Sequence, residues 1–407
     1  MSVGPADGGP PGGGQHGGEP ARSGRRGLRV LVAPDSYKGT LTSVEVARAL
    51  AGGWLTARPD DEIHLAPLAD GGEGTLVAIE AAGGYHWRES PALDPIGRPI
   101  RAHWLQSADG ATAIVELAAA SGLSRLGPDE RAPFAATTFG TGQLVRAALE
   151  AGARTIVLGI GGSATSDGAA GLLSALCGAA APPELGPGSD SLANVPLDLA
   201  HLDPRLRAAS IRVACDVTNP LLGRHGAAAT YGPQKGASPA DVAHLDLRLE
   251  RWADRLAAWA GHDERETPGA GAAGGVGFGL LSIRDQLAGF SLEPGVELVM
   301  DAVGFAARLV ESDVVLTGEG RIDAQTAFGK TAMGVARRAA DAGVPCIAVG
   351  GGVEPGGIEA LATVGAIVVP VTEQPMTLAE ALAAGDAPLH RCGERVARLV
   401  SVGLTKS

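Results

Sequence analysis

Apolar and polar positions along the chain follow two rhythms. Between residues 28 and 82 the short apolar runs "LRVLVAP" and "EIHLAP" each lead through a polar turn into a segment with helical spacing, "SVEVARALAGGWLTA" and "LVAIEAAG". Two strand-turn-helix units in succession predict a parallel α/β sheet with loops at its strand ends. From about Tyr85 to Val115 the rhythm shortens to "YHWRESPALDP", "RPIRAHWLQS" and "ATAIVELA", broken by "DPIGRP" and "ADGA", which predicts antiparallel strands. Helix-strand alternation then returns with "TTFGTGQLVRAALEAGA", "TIVLGIGGS", "DGAAGLLSALCG" and "IRVACDV". Residues 240–260 place Val242, Leu245, Leu249, Trp252, Leu256 and Trp259 three and four apart, an amphipathic helix whose tryptophan stripe reads as core. After "GAGAAGGVGFG" the C-terminal third alternates helix and strand again, through "DVVLTG", "CIAVGG" and "AIVVPV".

The pattern predicts a discontinuous α/β domain, residues 27–84 and 285–407, with a mixed α/β domain, residues 85–284, inserted into it. Residues 1–26 hold too much Gly and Pro to bury an apolar core and are expected to be a disordered tail. With 407 residues and 45% apolar content, the rest can build two ordinary domains. A formal charge of -12 argues against nucleic acid or an anionic membrane as partner. No apolar run approaches the ~20 residues of a membrane span. Arg25-Arg26 precedes only "GLRVLVAP", too short for a signal segment, and Cys177, Cys215, Cys346 and Cys392 lack any CxxC or zinc spacing. A cytoplasmic location with reduced thiols is the expectation.

Two familiar glycine patterns lack their required context. "GAGAAG", Gly269 to Gly274, follows no strand, and "GKT", Gly329 to Thr331, has Ala324 where a phosphate loop begins with glycine. The stronger signals are polar, glycine-containing turns at strand ends, where an open α/β sheet presents donors to ligand. "APDSYKG" offers Asp35 as acceptor or metal ligand, Ser36 as hydroxyl donor and Lys38 as a cation, although helix entry capped by Thr42 or Ser43 would also explain it. "LADGGEGT" sets Asp70 and Glu73 around two glycines beside a helix start, suited to Mg²⁺ or to the helix dipole. "LGIGGSATSDGAAG" brings small residues, Ser163, Thr165 and Ser166 to a strand end where backbone amides can approach phosphate, or where helix and strand simply pack closely. "ACDVTNPLLGRHGAAATYGPQKGAS" ends a strand with Asp216 and Asn219, then presents Gln234 and Lys235 in what reads as a long polar loop. "VVLTGEGRIDAQTAFGK" gathers Glu319, Arg321, Asp323, Gln325 and Lys330, a phosphate and metal constellation or a salt-bridged surface loop. The histidines form no HxxxH pair and there is no GxSxG elbow.

In their order, "APDSYKGTLTS", "PLADGGEGT", "GIGGSATSDGAAGLLSALCG", "CDVTNPLLGRHGAAATYGPQKGA", "GAGAAGGVGFG" and "TGEGRIDAQTAFGK" resemble the type I glycerate kinase family over residues 28–402. Tyr37 stands where the family often has Phe, and "APPELGPGSDSLANVPLDLAHLD" looks like a variable loop. The resemblance implies a Rossmann-like parallel α/β/α domain with a second mixed α/β domain inserted. It also implies ATP-dependent phosphorylation of D-glycerate with Mg²⁺, at the 2-hydroxyl to give 2-phosphoglycerate; the residues themselves do not choose between the 2- and 3-hydroxyls. Another small hydroxy acid as substrate, or a non-catalytic nucleotide or carboxylate sensor, are the rival readings, and a homodimer is left open. On this reading Gly161, Gly162, Ser163, Thr165 and Asp167, with Gly271 and Gly274, are candidates for phosphate contacts. Lys38, Lys235, Arg321 and Lys330 are candidate clamps for carboxylate and phosphoryl groups. Asp35, Asp70 and Asp216 join the catalytic candidates, with Asp216 as the expected base, and Asp216, Glu319 and Asp323 are the expected metal ligands.

Overall fold

The computed structural model describes residues 27–404 apart from 187, 189, 190, 329, 375 and 376; the glycine-rich segment 1–26, expected as a disordered tail, lies outside the described residues. Its strands are β1 (Arg29–Val32), β2 (Glu62–Leu65), β3 (Tyr85–Leu93), β4 (Pro99–Ser107), β5 (Thr112–Glu116), β6 (Thr155–Gly159), β7 (Ser210–Ala214), β8 (Gly289–Glu293), β9 (Val314–Ile322), β10 (Cys346–Val353) and β11 (Ile367–Pro370). One sheet runs β11-β10-β9-β1-β2 and is parallel throughout. The other runs β3-β4-β5-β6-β7-β8, antiparallel from β3 to β5 and parallel from β5 to β8. The molecule is therefore α/β with a parallel sheet and a mixed sheet, the second formed by chain that leaves the first after β2 and returns at β9. Strand β8 belongs to the mixed sheet and lies beyond residue 284, where the sequence pattern drew the end of the inserted domain.

Helix α1 (Ser43–Ala57) forms because Val46, Leu50 and Trp54 repeat on one face and Thr42 closes a capping box with Glu45. That face meets Leu389, Cys392 and Val396 of the C-terminal helix Ala387–Leu404 over one side of the parallel sheet. Gly53 permits the close approach, since a Cβ there would lie 1.8 Å from the carbonyl oxygen of His390. Helix α2 (Thr75–Ala82) has no side-chain cap of its own at Gly74. Instead Glu116, at the end of β5, accepts from the Leu76 N–H at 2.8 Å. Helix α3 (Ala170–Leu176) is wholly buried in the core around the mixed sheet, and α4 (Pro239–Ala260) packs on the turn that leads into it. On α4 Trp252 is buried and donates to the Gly168 carbonyl at 2.9 Å, whereas Trp259, expected in the same core stripe, is exposed. Helix α5 (Gly295–Ala302) and helix α6 (Thr331–Ala342) return the chain to the first sheet.

A shared core locks the two sheets together. Leu31, Leu68, Leu105, Ile114, Val157, Val296 and Val315 belong to one apolar cluster with members from both. Their carboxyl ends consequently face a common space. The glycine-rich "GAGAAGGVGFG" opens a buried helix, Ala272–Ser282, after a kink at Ala273, Gly274 and Gly275, all with positive φ. Tight packing, not propensity, holds it. The polar segment after β7 likewise carries a short helix, Ala227–Tyr231, and a 3₁₀ turn, Pro233–Lys235, where the sequence suggested an unstructured loop.

Candidate active site

A cleft of about 1100 Å³ opens where the carboxyl ends of β1, β2, β6 and β7 converge. Such strand ends expose backbone donors that the sheet no longer uses. The turn after β1 brings Asp35, Ser36 and Lys38 to its wall. Asp35 is nearly buried; its Oδ1 accepts from the Ser36 N–H at 2.6 Å and its Oδ2 from the Thr331 hydroxyl at 2.6 Å. Burial pushes its carboxyl above the usual range, helped by Asp70, with the Thr331 and Ser36 hydrogen bonds and Lys38 opposing. Lys38 extends into the opening with its side chain 76% exposed and donates to Asp70 Oδ2 at 2.8 Å. Its ammonium pKa is raised chiefly by that hydrogen bond. Burial works against Asp70, yet Lys38 and the Gly72 N–H hold it below the usual carboxylate range.

The Asp70 turn wedges between the sheets. Gly71 has φ +81, and a Cβ there would sit 2.4 Å from Ala214 Cβ; one on Gly161 would reach within 2.9 Å of Gly72 Cα. Backbone thus meets backbone at the seam, a contact that side chains would prevent. Asp216, just past β7, faces the same space, and its Oδ1 accepts from the Gly295 N–H at 3.0 Å. Desolvation and then the neighbouring Asp70 raise its pKa, while the Gly295 N–H and Lys38 pull it down.

Against the Asp70 turn lie Gly161, Gly162 and Ser163, which also line the cleft. The Leu123 N–H donates to Gly162 at 2.8 Å and the Ala164 N–H to Ser121 at 3.0 Å, which fixes this turn against the segment after β5. Behind it Lys235 is 1% exposed, and its Nζ donates to Ser163 Oγ at 2.9 Å and to the Thr165 carbonyl at 2.5 Å. Burial lowers its pKa to about 7, with Asp167 pulling the other way. Thr165 and Asp167 are themselves enclosed. Asp167 Oδ2 accepts from the Thr138 N–H at 2.8 Å, the Thr138 hydroxyl at 2.9 Å and the Gly171 N–H at 3.1 Å, so it anchors the entrance to α3. Gly271 and Gly274 serve close packing: a Cβ on either would lie 2.2 Å from Pro220 O or 2.0 Å from Thr165 O. Their neighbours Ala272 and Ala273, not the glycines, border the cleft among the described residues.

The charged segment after Val314 is placed differently. β9 continues to Ile322, so Glu319 and Arg321 are strand residues rather than part of a strand-end turn. Glu319 is buried and accepts from the Thr326 hydroxyl at 2.6 Å. Burial lifts its carboxyl to about 7. Arg321 pairs with Glu354 and with Asp323, and Lys330 Nζ donates to Asp323 Oδ1 at 3.0 Å. None of Glu319, Arg321, Asp323 and Lys330 is among the described residues that line the cleft. The three expected metal ligands are therefore dispersed: Asp216 in the cleft, Glu319 beneath it, Asp323 tied to Lys330. Among the described residues no group of three or more His, Cys, Asp or Glu side chains is arranged to hold a metal ion.

The structure also brings forward residues that sequence reasoning passed over. Glu116 caps α2 from across the domain seam, its carboxyl lifted to about 7 by burial and by Glu73. Its signal, an acid closing an apolar run, was the one that singled out Asp216. Arg131, in "GPDERAP", lines the cleft from a segment with no motif around it.

Comparison with known proteins agrees over most of the chain. Residues 30–401 match the model of the glycerate kinase family. A glycerate 2-kinase of Escherichia coli is 43% identical over 329 residues, 80% of this chain and 85% of that protein. A glycerate kinase of Haemophilus influenzae is 41% identical over 92% of this chain and 99% of its own length. A glycerate kinase 2 crystal structure from Salmonella typhimurium LT2 superposes with a TM-score of 0.80 at 39% identity, covering 93% of this chain and all of that one.

Proposed function

The chain belongs to the glycerate kinase family, and from that premise we propose that it transfers the γ-phosphoryl group of ATP to D-glycerate, yielding ADP and 2-phosphoglycerate. The observation that carries the reading is the convergence of Lys38, Asp70, Asp216 and the Gly161–Ser163 turn on one cleft at the seam of two sheets. Phosphoryl transfer asks a protein mainly for positioning and for charge stabilisation around the moving group. The Gly161–Ser163 turn offers backbone and hydroxyl donors to phosphate oxygens, with Lys235 steadying Ser163 from behind. Lys38 supplies an exposed ammonium to the same cleft.

In the transfer the glycerate hydroxyl oxygen forms a bond to the γ-phosphorus while the bond between that phosphorus and the β–γ bridging oxygen breaks. The hydroxyl proton passes to a carboxylate, a role we assign to Asp216, which faces the cleft and whose carboxyl burial and then Asp70 raise above the usual range. Mg²⁺ takes one or two carboxylates together with substrate phosphates; Asp70, which lines the cleft, would hold it there rather than Asp323, which does not, leaving Asp216 as the base, and the ion would neutralise phosphate charge. Among the described residues no helix is long and apolar enough to cross a membrane, and the cysteines are free; a cytoplasmic setting completes the proposal.

The test is an ADP-release assay over a panel of hydroxy acids, with phosphorus NMR of the product. Glycerate should be the best acceptor and the 2-phosphate the product. ATP binding without glycerate-dependent ADP release would make the protein a sensor, and a better acceptor elsewhere in the panel would make it a kinase of that acid.

A further inference from the structure

The cleft is acidic, although the proposed substrates are anions. Asp35, Glu45, Asp70, Glu73 and Asp216 line it, and among the described residues its only cations are Lys38 and Arg131. Lys38 shares its charge with Asp70 and is assigned above to the phosphoryl group. Lys235 lies behind the wall, spending its donors on Ser163 and Thr165. Arg131 makes no ion pair or hydrogen bond among the described residues.

Its surroundings keep it so. The adjacent Glu130, the acid best placed to neutralise it, accepts instead from Arg98 Nη1 at 2.6 Å and from the Gly127 N–H at 2.9 Å. Arg131 leaves the 3₁₀ turn Pro128–Glu130 in extended backbone, so its side chain departs from that pairing. Across from it Gly236, with φ +96, lets the Gln234–Gly236 turn press against the base of the arginine: a Cβ there would stand 3.0 Å from Arg131 Cβ. That contact sets Arg131 beside Gln234 and the Lys235–Ser163 pair on the wall of the cleft.

Resting on the kinase reading above, we infer that Arg131 grips the carboxylate of the hydroxy-acid substrate. Of the two substrates, ATP brings a counter-ion with its phosphates, whereas the carboxylate enters with its charge uncompensated. A guanidinium fork matches a carboxylate with two parallel hydrogen bonds, which an ammonium cannot. Arg131 would thereby select an acid over its uncharged analogues and orient its hydroxyls toward Asp216.

The experiment compares wild type, Arg131→Ala, Arg131→Gln and Arg131→Lys with glycerate and with glyceramide, its uncharged amide. Loss of a charge-assisted pair should raise the KM for glycerate about 10- to 100-fold in the Ala and Gln variants, with KM for ATP within about twofold. The preference for glycerate over glyceramide should collapse in both, and Lys should restore part of it. An unchanged glycerate KM, a rise in the ATP KM instead, or a preference that survives in Arg131→Gln would overturn the assignment. Wild-type turnover of glycerate separates the two readings: without it the kinase proposal fails and takes this inference with it, whereas turnover that ignores Arg131 sinks the inference alone.

Discussion

Lys38 and Lys330 each stand near the carboxyl end of a strand in the parallel sheet, each donates to an aspartate, and each belongs to a stretch dense in Gly, Asp and Lys or Arg. They do different work. Lys38 joins two separate turns on the cleft wall, because its partner Asp70 comes from the segment after β2. Lys330 closes its own loop on Asp323, seven positions earlier, and Arg321 turns away to Glu354. The same residue types therefore make an open array on the cleft wall in one place and a self-neutralised one outside it in the other. What separates them is the source of the counter-charge. A charge balanced within its own loop has little left for a ligand, while one balanced between the turns of two neighbouring strands ties those turns together and still faces solvent.

Four sets of substitutions break or sharpen that contrast, taken by effect on turnover. Asp216→Asn on the open side should cost the most, about 10²- to 10⁴-fold in kcat, the range of a lost general base. Because an amide oxygen can still accept from the Gly295 N–H, the variant's melting temperature should move little. Near-normal turnover in a folded Asp216→Asn protein would remove the base assignment. Next comes Lys38→Ala, with an expected loss of about 10- to 100-fold in kcat/KM from the missing charge-assisted contact. A larger effect on stability than on turnover would return Lys38 to the plain role of a helix-entry residue.

How much of this was legible in the chain follows the same line. The strand-turn-helix rhythm announced both sheets, because alternation and helical periodicity are local properties of the sequence. The cleft side chains Asp35, Lys38, Asp70 and Asp216 were legible for the same reason: polar residues after an apolar run sit where an α/β sheet opens. Partnership was not legible. Nothing in "GEGRIDAQTAFGK" reveals that β9 runs on to Ile322 or that Glu354, far along the chain, takes up Arg321. Nor does a glycine report its reason; Gly161 and Gly274 look alike in sequence, yet one borders the cleft and the other fits under the Thr165 carbonyl. Arg131 was invisible because what sets it apart is a cleft position without a partner among the described residues, a property only of the folded surface.

On the closed side, Arg321→Ala and Lys330→Ala should change kcat/KM by less than about threefold and move the melting temperature little. A loss in either comparable to that of Lys38→Ala would erase the distinction between the two arrays. It would mean that the segment after β9 swings to the ligand during turnover.

Glu319, between the arrays, should scarcely affect turnover but should report on stability against pH. Its carboxyl titrates near 4.5 in the unfolded chain and at about 7 in the fold, raised first by burial and also by Asp35 and Asp323, against the Thr326 hydrogen bond and Lys330. Below pH 4.5 it is protonated in both states and contributes no slope. Between 4.5 and 7 the unfolded chain has lost the proton that the fold retains, so stability falls as pH rises, and above 7 that loss is complete. Glu319→Gln removes this slope while leaving an oxygen to accept from Thr326. Thermal melts from pH 5 to 8 should therefore show wild type losing ground to the variant and the gap levelling near the top of the range. In a Lys330→Ala background the levelling point should move up, because the cation that draws Glu319 down is gone. Parallel wild-type and Glu319→Gln curves would show that Glu319 is already ionised in the fold, and that the closed array reaches beneath the cleft with more positive charge than its own carboxylates consume.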